Sequence, residues 1–198
     1  MKYQLLAYFS IKYIIRCVYK FGAFNIKSLV IDLRQPLPED GSQAFKLISQ
    51  CPPLDTNSLY CNLLQCSHFS CTSVAAVAQD EVVGFISAYV VPDRPNTLFV
   101  WQVAVGTQAR GQGLATRMLQ HILDRPLCND IRYLETTITE SNQASWALFN
   151  GLSSKLNTEL HSSVMFDRKQ HLDNAHDTEM LVKIGPFNIR KEINNENI

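Results

Sequence analysis

No Cys-x-x-Cys pair, no Gly-Lys-Ser/Thr loop and no apolar run of membrane-spanning length occurs in this sequence of 198 residues. Each absence removes a class of function. Cys61, Cys66 and Cys71 recur at a spacing that is not that of zinc ligands, and His68 falls between two of them. The six cysteines read as reduced thiols. With no clean secretory signal, they point to the cytoplasm and to a protein without a metal. Near the start the longest charge-free stretch runs only from Tyr3 to Ile11, well under the roughly 20 residues that a bilayer requires. An excess of either charge is also missing, since 18 basic and 18 acidic side chains balance. Lys2, Lys12, Arg16, Lys20 and Lys27 stand unopposed in residues 1–28, so the rest is mildly acidic. Such a body does not suit nucleic acid, whose phosphates need a clustered basic face. Neither nucleic acid nor a membrane is an expected partner.

What is present is apolar content of 46%, enough for one domain that buries about 70% of its unfolded surface. Residues 1–28 are expected to be an extension outside the fold, 29–187 the domain and 188–198 a polar tail. Leu29–Leu33 reads as a first strand, and a helix runs from Pro38 to about Gln50, where Pro52 and Pro53 stop it. Asp55 or Asn57 caps a second helix through Leu59, Leu63 and Leu64. Thr72–Ala78 and Glu81–Val91 form a hairpin across Gln79–Asp80, and Pro92–Asn96 leads to a strand over Thr97–Val105. A helix over Leu114–Leu123, a strand over Ile131–Ile138 and a helix over Gln143–Leu152 capped by Ser141 follow. Val164–Phe166 and Met180–Ile184 close the order. The expected fold class is α/β, a mixed, mostly antiparallel central sheet with helices on both faces.

Between the strand ending at Val105 and the helix opening at Leu114 lies Gln108-Ala-Arg-Gly-Gln-Gly-Leu-Ala115. Gly111 and Gly113 remove side chains that would keep an anion from the backbone, and the helix start directs N–H groups and the positive dipole end at it. Thr116 stands where the dinucleotide fingerprint GxGxxG needs glycine. The pattern resembles instead the Q/R-x-x-G-x-G/A pyrophosphate loop of the GCN5-related N-acetyltransferases. Further strings, CPPLDTNSLYCNLL (51–64), LFVWQVAV (98–105), YLETTIT (133–139) and SNQASWALF (141–149), are similar to the L-2,4-diaminobutyrate acetyltransferases of ectoine biosynthesis over residues 30–187. The resemblance implies transfer of acetyl from acetyl-CoA to the γ-amino group of L-2,4-diaminobutyrate by direct attack, and a homodimer.

By that resemblance, the main chain of Val103, Ala104 and Val105 pairs with pantetheine and supplies an oxyanion donor. The backbone of Arg110, Gly111, Gln112, Gly113, Leu114 and Ala115 cradles the diphosphate, with side-chain help from Gln108 and Arg110. Asn142 positions the pantetheine arm or simply caps its helix. The acceptor amine is mostly protonated at neutral pH, so the site must hold a cation and then take one proton from it. Asp55, Glu135 and Glu179 are the candidates for that work, and Asp55, Tyr60, Trp101, Thr137 and Glu179 for substrate contact. Glu135 and Thr137 share one strand face by alternation. The tyrosine that many acetyltransferases use to protonate the departing thiolate is Phe149 here, and Tyr60 is a possible substitute. His161, His171 and His176 are expected in solvent. Two other readings stay open: an acetyltransferase for another small amine, and an acyl-CoA-binding sensor without turnover.

Overall fold

The computed structural model describes residues 30–188. The expected extension over 1–28 lies outside the described residues, as does all but the first residue of the expected tail. Seven strands, β1 (Asp32–Arg34), β2 (Val74–Ala78), β3 (Glu81–Val91), β4 (Arg94–Val105), β5 (Tyr133–Thr139), β6 (Leu160–Phe166) and β7 (Glu179–Ile184), form one sheet in the order β1-β2-β3-β4-β5-β7-β6. Every neighbouring pair is antiparallel except β4 with β5. Among the described residues four α-helices accompany it: α1 (Gly41–Ser49), α2 (Leu59–Ser67), α3 (Leu114–Leu123) and α4 (Gln143–Lys155). The expected α/β class, element order and mixed, mostly antiparallel sheet are all present.

Alternation along β3 shows how the helices are divided between the two faces. Phe85 packs with Ala44, Leu47 and Ile48 of α1, Cys66 of α2 and Ala104 of β4. A Cβ at the adjacent Gly84 would instead lie 3.1 Å from the Met118 side chain of α3. Helices therefore cover both faces, as expected, and Gly84 allows α3 to approach the sheet closely.

Several boundaries differ from the sequence reading, each for a local reason. Ser58, not Asp55 or Asn57, caps α2, because its extended backbone lets Oγ accept the Cys61 N–H at 3.0 Å. Asn57 has φ of +54°, and its N–H donates to Asp55 Oδ1 at 3.0 Å in a turn ahead of the helix. Asn142, not Ser141, caps α4 by accepting the Ser145 N–H at 3.1 Å, and α4 continues to Lys155. β4 starts at Arg94, since Val91 and Arg94 pair across a two-residue turn that shortens the expected loop. β6 starts at Leu160, earlier than its apolar end suggests, because exposed polar residues precede Val164 on an edge strand.

The start of the domain is held by charge. Asp40, buried ahead of α1, accepts two bonds from Arg34 (2.6 and 2.9 Å) and one from the Leu37 N–H (2.7 Å). Burial would raise its carboxyl pKa, but the bonds from Arg34 and Leu37 outweigh it and hold the group below the usual carboxylate range. A depressed folded pKa gives stability that is complete above about pH 4 and is lost as pH falls through the folded value. Asp40→Asn is accordingly expected to cost about 1–2 kcal/mol at neutral pH and to flatten the acid limb of the stability curve, measured by urea unfolding from pH 7 down to pH 3.

Candidate active site

The site begins where two strands part. β4 and β5 pair in parallel only at Thr97–Phe99 with Tyr133–Glu135, after which β5 continues alongside β7 to Thr139 opposite Glu179. On its other side β4 carries a bulge: Ser87 is opposite Gln102 and Ala88 is opposite Val100, so Trp101 has no partner in β3. The bulge lets Trp101 project from the sheet with 43% of its surface exposed. Tyr89 packs against it edge to face, with ring centroids 6.4 Å apart.

Three cavities follow one another along the opening. The first, about 450 Å³, is lined by Asp55, Trp101, Gln102, Thr137, Asn142, His176 and Glu179 among others. The second, about 270 Å³, shares Pro53, Leu54 and Asn142 with it and adds Cys51, Val103, Val105, Arg110 and Leu148. The third, about 220 Å³, shares Val105, Arg110, Ala115 and Leu148 with the second and ends on Gly111, Gly113 and Leu114. Gly111 and Gly113 have φ of +71° and +68°, and a Cβ built on either meets nothing within 4 Å. Glycine is thus favoured by the left-handed backbone and leaves open space outside the loop. The first helical bond of α3 runs from the Arg117 N–H to the Gly113 carbonyl at 3.0 Å, so the preceding N–H groups lie at the open end of the helix. A diphosphate fits such a cradle.

Asp55, Trp101, Thr137, Asn142 and Glu179 thus meet at one cavity, although they come from an interhelical loop, two strands that part, a helix cap and the last strand. Val103, Val105, Arg110, Gly111, Gly113, Leu114 and Ala115 line the rest of the crevice. Ala104 is fully buried in the core between β3 and α1, so any part it takes in ligand contact is through main chain.

Other expected positions fall elsewhere. Glu135 is 2% exposed and lies below the fork, where β4 and β5 are still joined. Arg94 Nη1 holds it at 2.6 Å and Lys183 Nζ lies at 4.0 Å, so it is a paired carboxylate that lines none of the three cavities. Tyr60, on the outer side of α2 with 69% of its surface exposed, lines none of them. Gln108 and Gln112 are exposed, and Gln112 Nε2 donates to the Gln108 carbonyl at 3.2 Å, bracing the loop internally. The Arg110 side chain turns back, with Nε donating to the Val105 carbonyl at 2.8 Å and Nη2 to Cys51 Sγ at 3.4 Å. Phe149 is buried, so its ring belongs to the core. His161 pairs with Glu159 at 3.2 Å, and His171 Nδ1 accepts the Asp167 N–H. His176, expected in solvent, is exposed but also borders the first cavity. Sequence reasoning missed Gln102, a polar residue inside the apolar run LFVWQVAV whose position was itself the signal. Among the described residues no cluster of His, Cys, Asp and Glu suits a metal ion, and no helix is long and apolar enough to cross a membrane.

A forked sheet with a phosphate-type loop at one end and an acidic, aromatic cavity at the other is the architecture of acetyl transfer from a coenzyme A thioester. The acetyltransferase (GNAT) family model matches residues 41–152. The chain is 64% identical over 158 residues to the L-2,4-diaminobutyric acid acetyltransferase of Methylotuvimicrobium alcaliphilum, covering 80% of this chain and 92% of that protein. It is 51% identical over 151 residues to the enzyme of the same name from Vibrio cholerae, covering 76% and 87%. Its fold matches the diaminobutyrate acetyltransferase EctA of Paenibacillus lautus, solved with L-2,4-diaminobutyric acid and coenzyme A, with a TM-score of 0.78 at 36% identity over 83% of this chain and 99% of that one. The chain therefore belongs to the GNAT family and, within it, to the L-2,4-diaminobutyric acid acetyltransferases.

Because Glu135 is paired below the fork, Glu135→Gln is expected to cost about 1–3 kcal/mol in chemical unfolding by leaving Arg94 without its partner. Calorimetric binding of ligands to the crevice should be unchanged; weakened binding would return Glu135 to the site.

Proposed function

We infer that this chain transfers the acetyl group of acetyl-CoA to the γ-amino group of L-2,4-diaminobutyrate, giving N4-acetyl-L-2,4-diaminobutyrate for ectoine synthesis. The observation that carries the reading is the continuous crevice, which runs from the glycine loop at α3 to the cavity of Asp55, Trp101 and Glu179. The names of the relatives support the same substrate.

Acetyl-CoA supplies the thioester whose acetyl group is passed on. The chain's own residues do the rest. The backbone of Arg110–Ala115 holds the diphosphate at the start of α3, and Val103 and Val105 present main chain to the pantetheine arm in the middle cavity. Asn142 borders both the middle and the acidic cavity, at the junction where the arm would meet the amine. Asp55 and Glu179 stabilise the two ammonium groups of the acceptor, and Trp101 offers a ring face to one of them. One carboxylate, directly or through water, takes the proton that must leave before the nitrogen can attack. Repulsion from the α-ammonium already lowers the pKa of the γ-amine, so the carboxylate removes a weakened proton. The developing oxyanion is met by a main-chain N–H of β4. A thiol of pKa near 8.5 leaves tolerably without an acid, which agrees with the buried Phe149 where a tyrosine could stand.

The catalytic domain is assigned to residues 29–187, with 1–28 outside it, and the enzyme to the cytoplasm, where its thiols stay reduced. A homodimer is built through β6, the edge strand, whose Val164, Met165 and Phe166 are all exposed. Val164→Lys with Phe166→Lys should convert a dimer into a monomer in sedimentation; a wild-type monomer would refute the dimer.

Mass spectrometry of the product from purified chain, acetyl-CoA and L-2,4-diaminobutyrate tests the main reading. The γ-acetyl isomer is expected; no product, or preference for another amine, would overturn it. Asp55→Ala and Glu179→Ala should each lower kcat/KM for the amine about 100-fold while sparing the KM for acetyl-CoA. Gly113→Val should instead raise the KM for acetyl-CoA at least tenfold, since a β-branched residue fits neither the left-handed backbone nor a close diphosphate.

A further inference from the structure

Beneath the Asp55 loop, the contact between α2 and the sheet holds polar side chains that the chemistry above does not use. Ser87 and Gln102 are opposite one another in β3 and β4, two residues from Phe85 and Ala104, and so lie on the face covered by α1 and α2. Asn62 and Gln65 are fully buried one turn apart on α2. Among the described residues, Asn62 Oδ1, Gln65 Oε1, Ser87 Oγ and Gln102 Oε1 are buried without a protein partner.

Half-used carboxamides are a poor way to fill a core. A buried acceptor left unpaired loses its hydration, and an apolar side chain of the same shape would pack without that cost. The other half of each group has a definite task. Gln102 Nε2 donates to the carbonyl of Asp55, and Asn62 Nδ2 donates to the carbonyl of Thr56 at 3.0 Å and to that of Ser58 at 2.9 Å. Two amides, one from the sheet and one from a helix, therefore grip successive carbonyls whose Cα atoms are about 3.8 Å apart. The Asp55 carboxylate is fixed from within the loop as well, because Oδ1 accepts the Asn57 N–H. That leaves Oδ2 for the cavity that Asp55 lines.

We propose that Gln102 and Asn62 form a carboxamide clamp that sets the Asp55 loop in place for the amine. They are positioning residues, retained at some expense in core packing. The proposal rests on the reading of Asp55 as an ammonium ligand. Its physical basis is that a carboxylate on a loop contributes to orientation only if the loop is held as firmly as the strand opposite.

Gln102→Met, in the full chain, keeps the volume and removes the N–H. Its KM for L-2,4-diaminobutyrate should rise about tenfold, with the KM for acetyl-CoA within about twofold of wild type. Its melting temperature should be unchanged or higher, the opposite of what a core role would give. Amide hydrogen exchange over residues 54–58 should accelerate severalfold, and Asn62→Leu should do the same. Unchanged exchange in Gln102→Met overturns the clamp, as does a fall in melting temperature with both KM values raised. If exchange accelerates but Asp55→Ala leaves the KM for the amine untouched, the clamp stands and the reading of Asp55 as an amine ligand falls.

Discussion

The separation of β4 from β5 is the constraint on which the rest of the molecule depends. Strand pairing satisfies backbone N–H and C=O groups, and a strand that loses its neighbour must offer those groups to something else. β4 loses β5 after Phe99, yet continues to Val105 with its other edge on β3. The free edge thus lies inside the sheet, where no further strand can add to it and a slender ligand arm can. The bulge at Trp101 falls just beyond the last paired residue, and turns a large ring toward the opening where a regular strand would have kept strict alternation.

The two ends of the crevice use different physics. At α3 the crevice offers main chain: two glycines in left-handed conformation, a helix start, and side chains that turn inward to brace the loop. Arg110 shows this, since its guanidinium closes on the Val105 carbonyl and Cys51 and thereby ties the loop to β4. At the other end the lining is by side chains, with Asp55 and Glu179 both on the cavity and, among the described residues, no lysine or arginine lining it. A doubly ammonium-bearing acceptor suits that charge distribution, and its carboxylate must rely on amide, hydroxyl or imidazole donors. A neutral chain thus offers acidic side chains at one end of a single groove and main-chain N–H groups at the other.

Much of this was legible in the sequence. A near-continuous apolar run bounded by Gln79–Asp80 and Pro92 gave β3 its full length, the glycine pair marked the start of α3, and both helix faces of the sheet followed from element order. The candidate acids Asp55 and Glu179, with Trp101 and Thr137, were legible through their motifs and meet at one cavity. Glu135 was not separable from them by pattern, because it shares a strand face with Thr137 and differs only in lying below the point where the strands part. Tyr60 sits beside the right loop in sequence, but the turn of α2 carries it outward. Gln102 and Asn62 stand out as isolated polar residues in apolar segments, but their task was not legible, because the carbonyls they hold belong to a loop 47 and 6 residues away.

Local chemistry therefore decided whatever needs only neighbours in the chain: strand and helix type, the left-handed glycine turn, and the diphosphate cradle at a helix start. Which of several carboxylates borders the cavity was decided in three dimensions, by how far β4 and β5 travel together before they part. That length is set by helix packing and sheet twist summed over the whole domain, and no single segment encodes it.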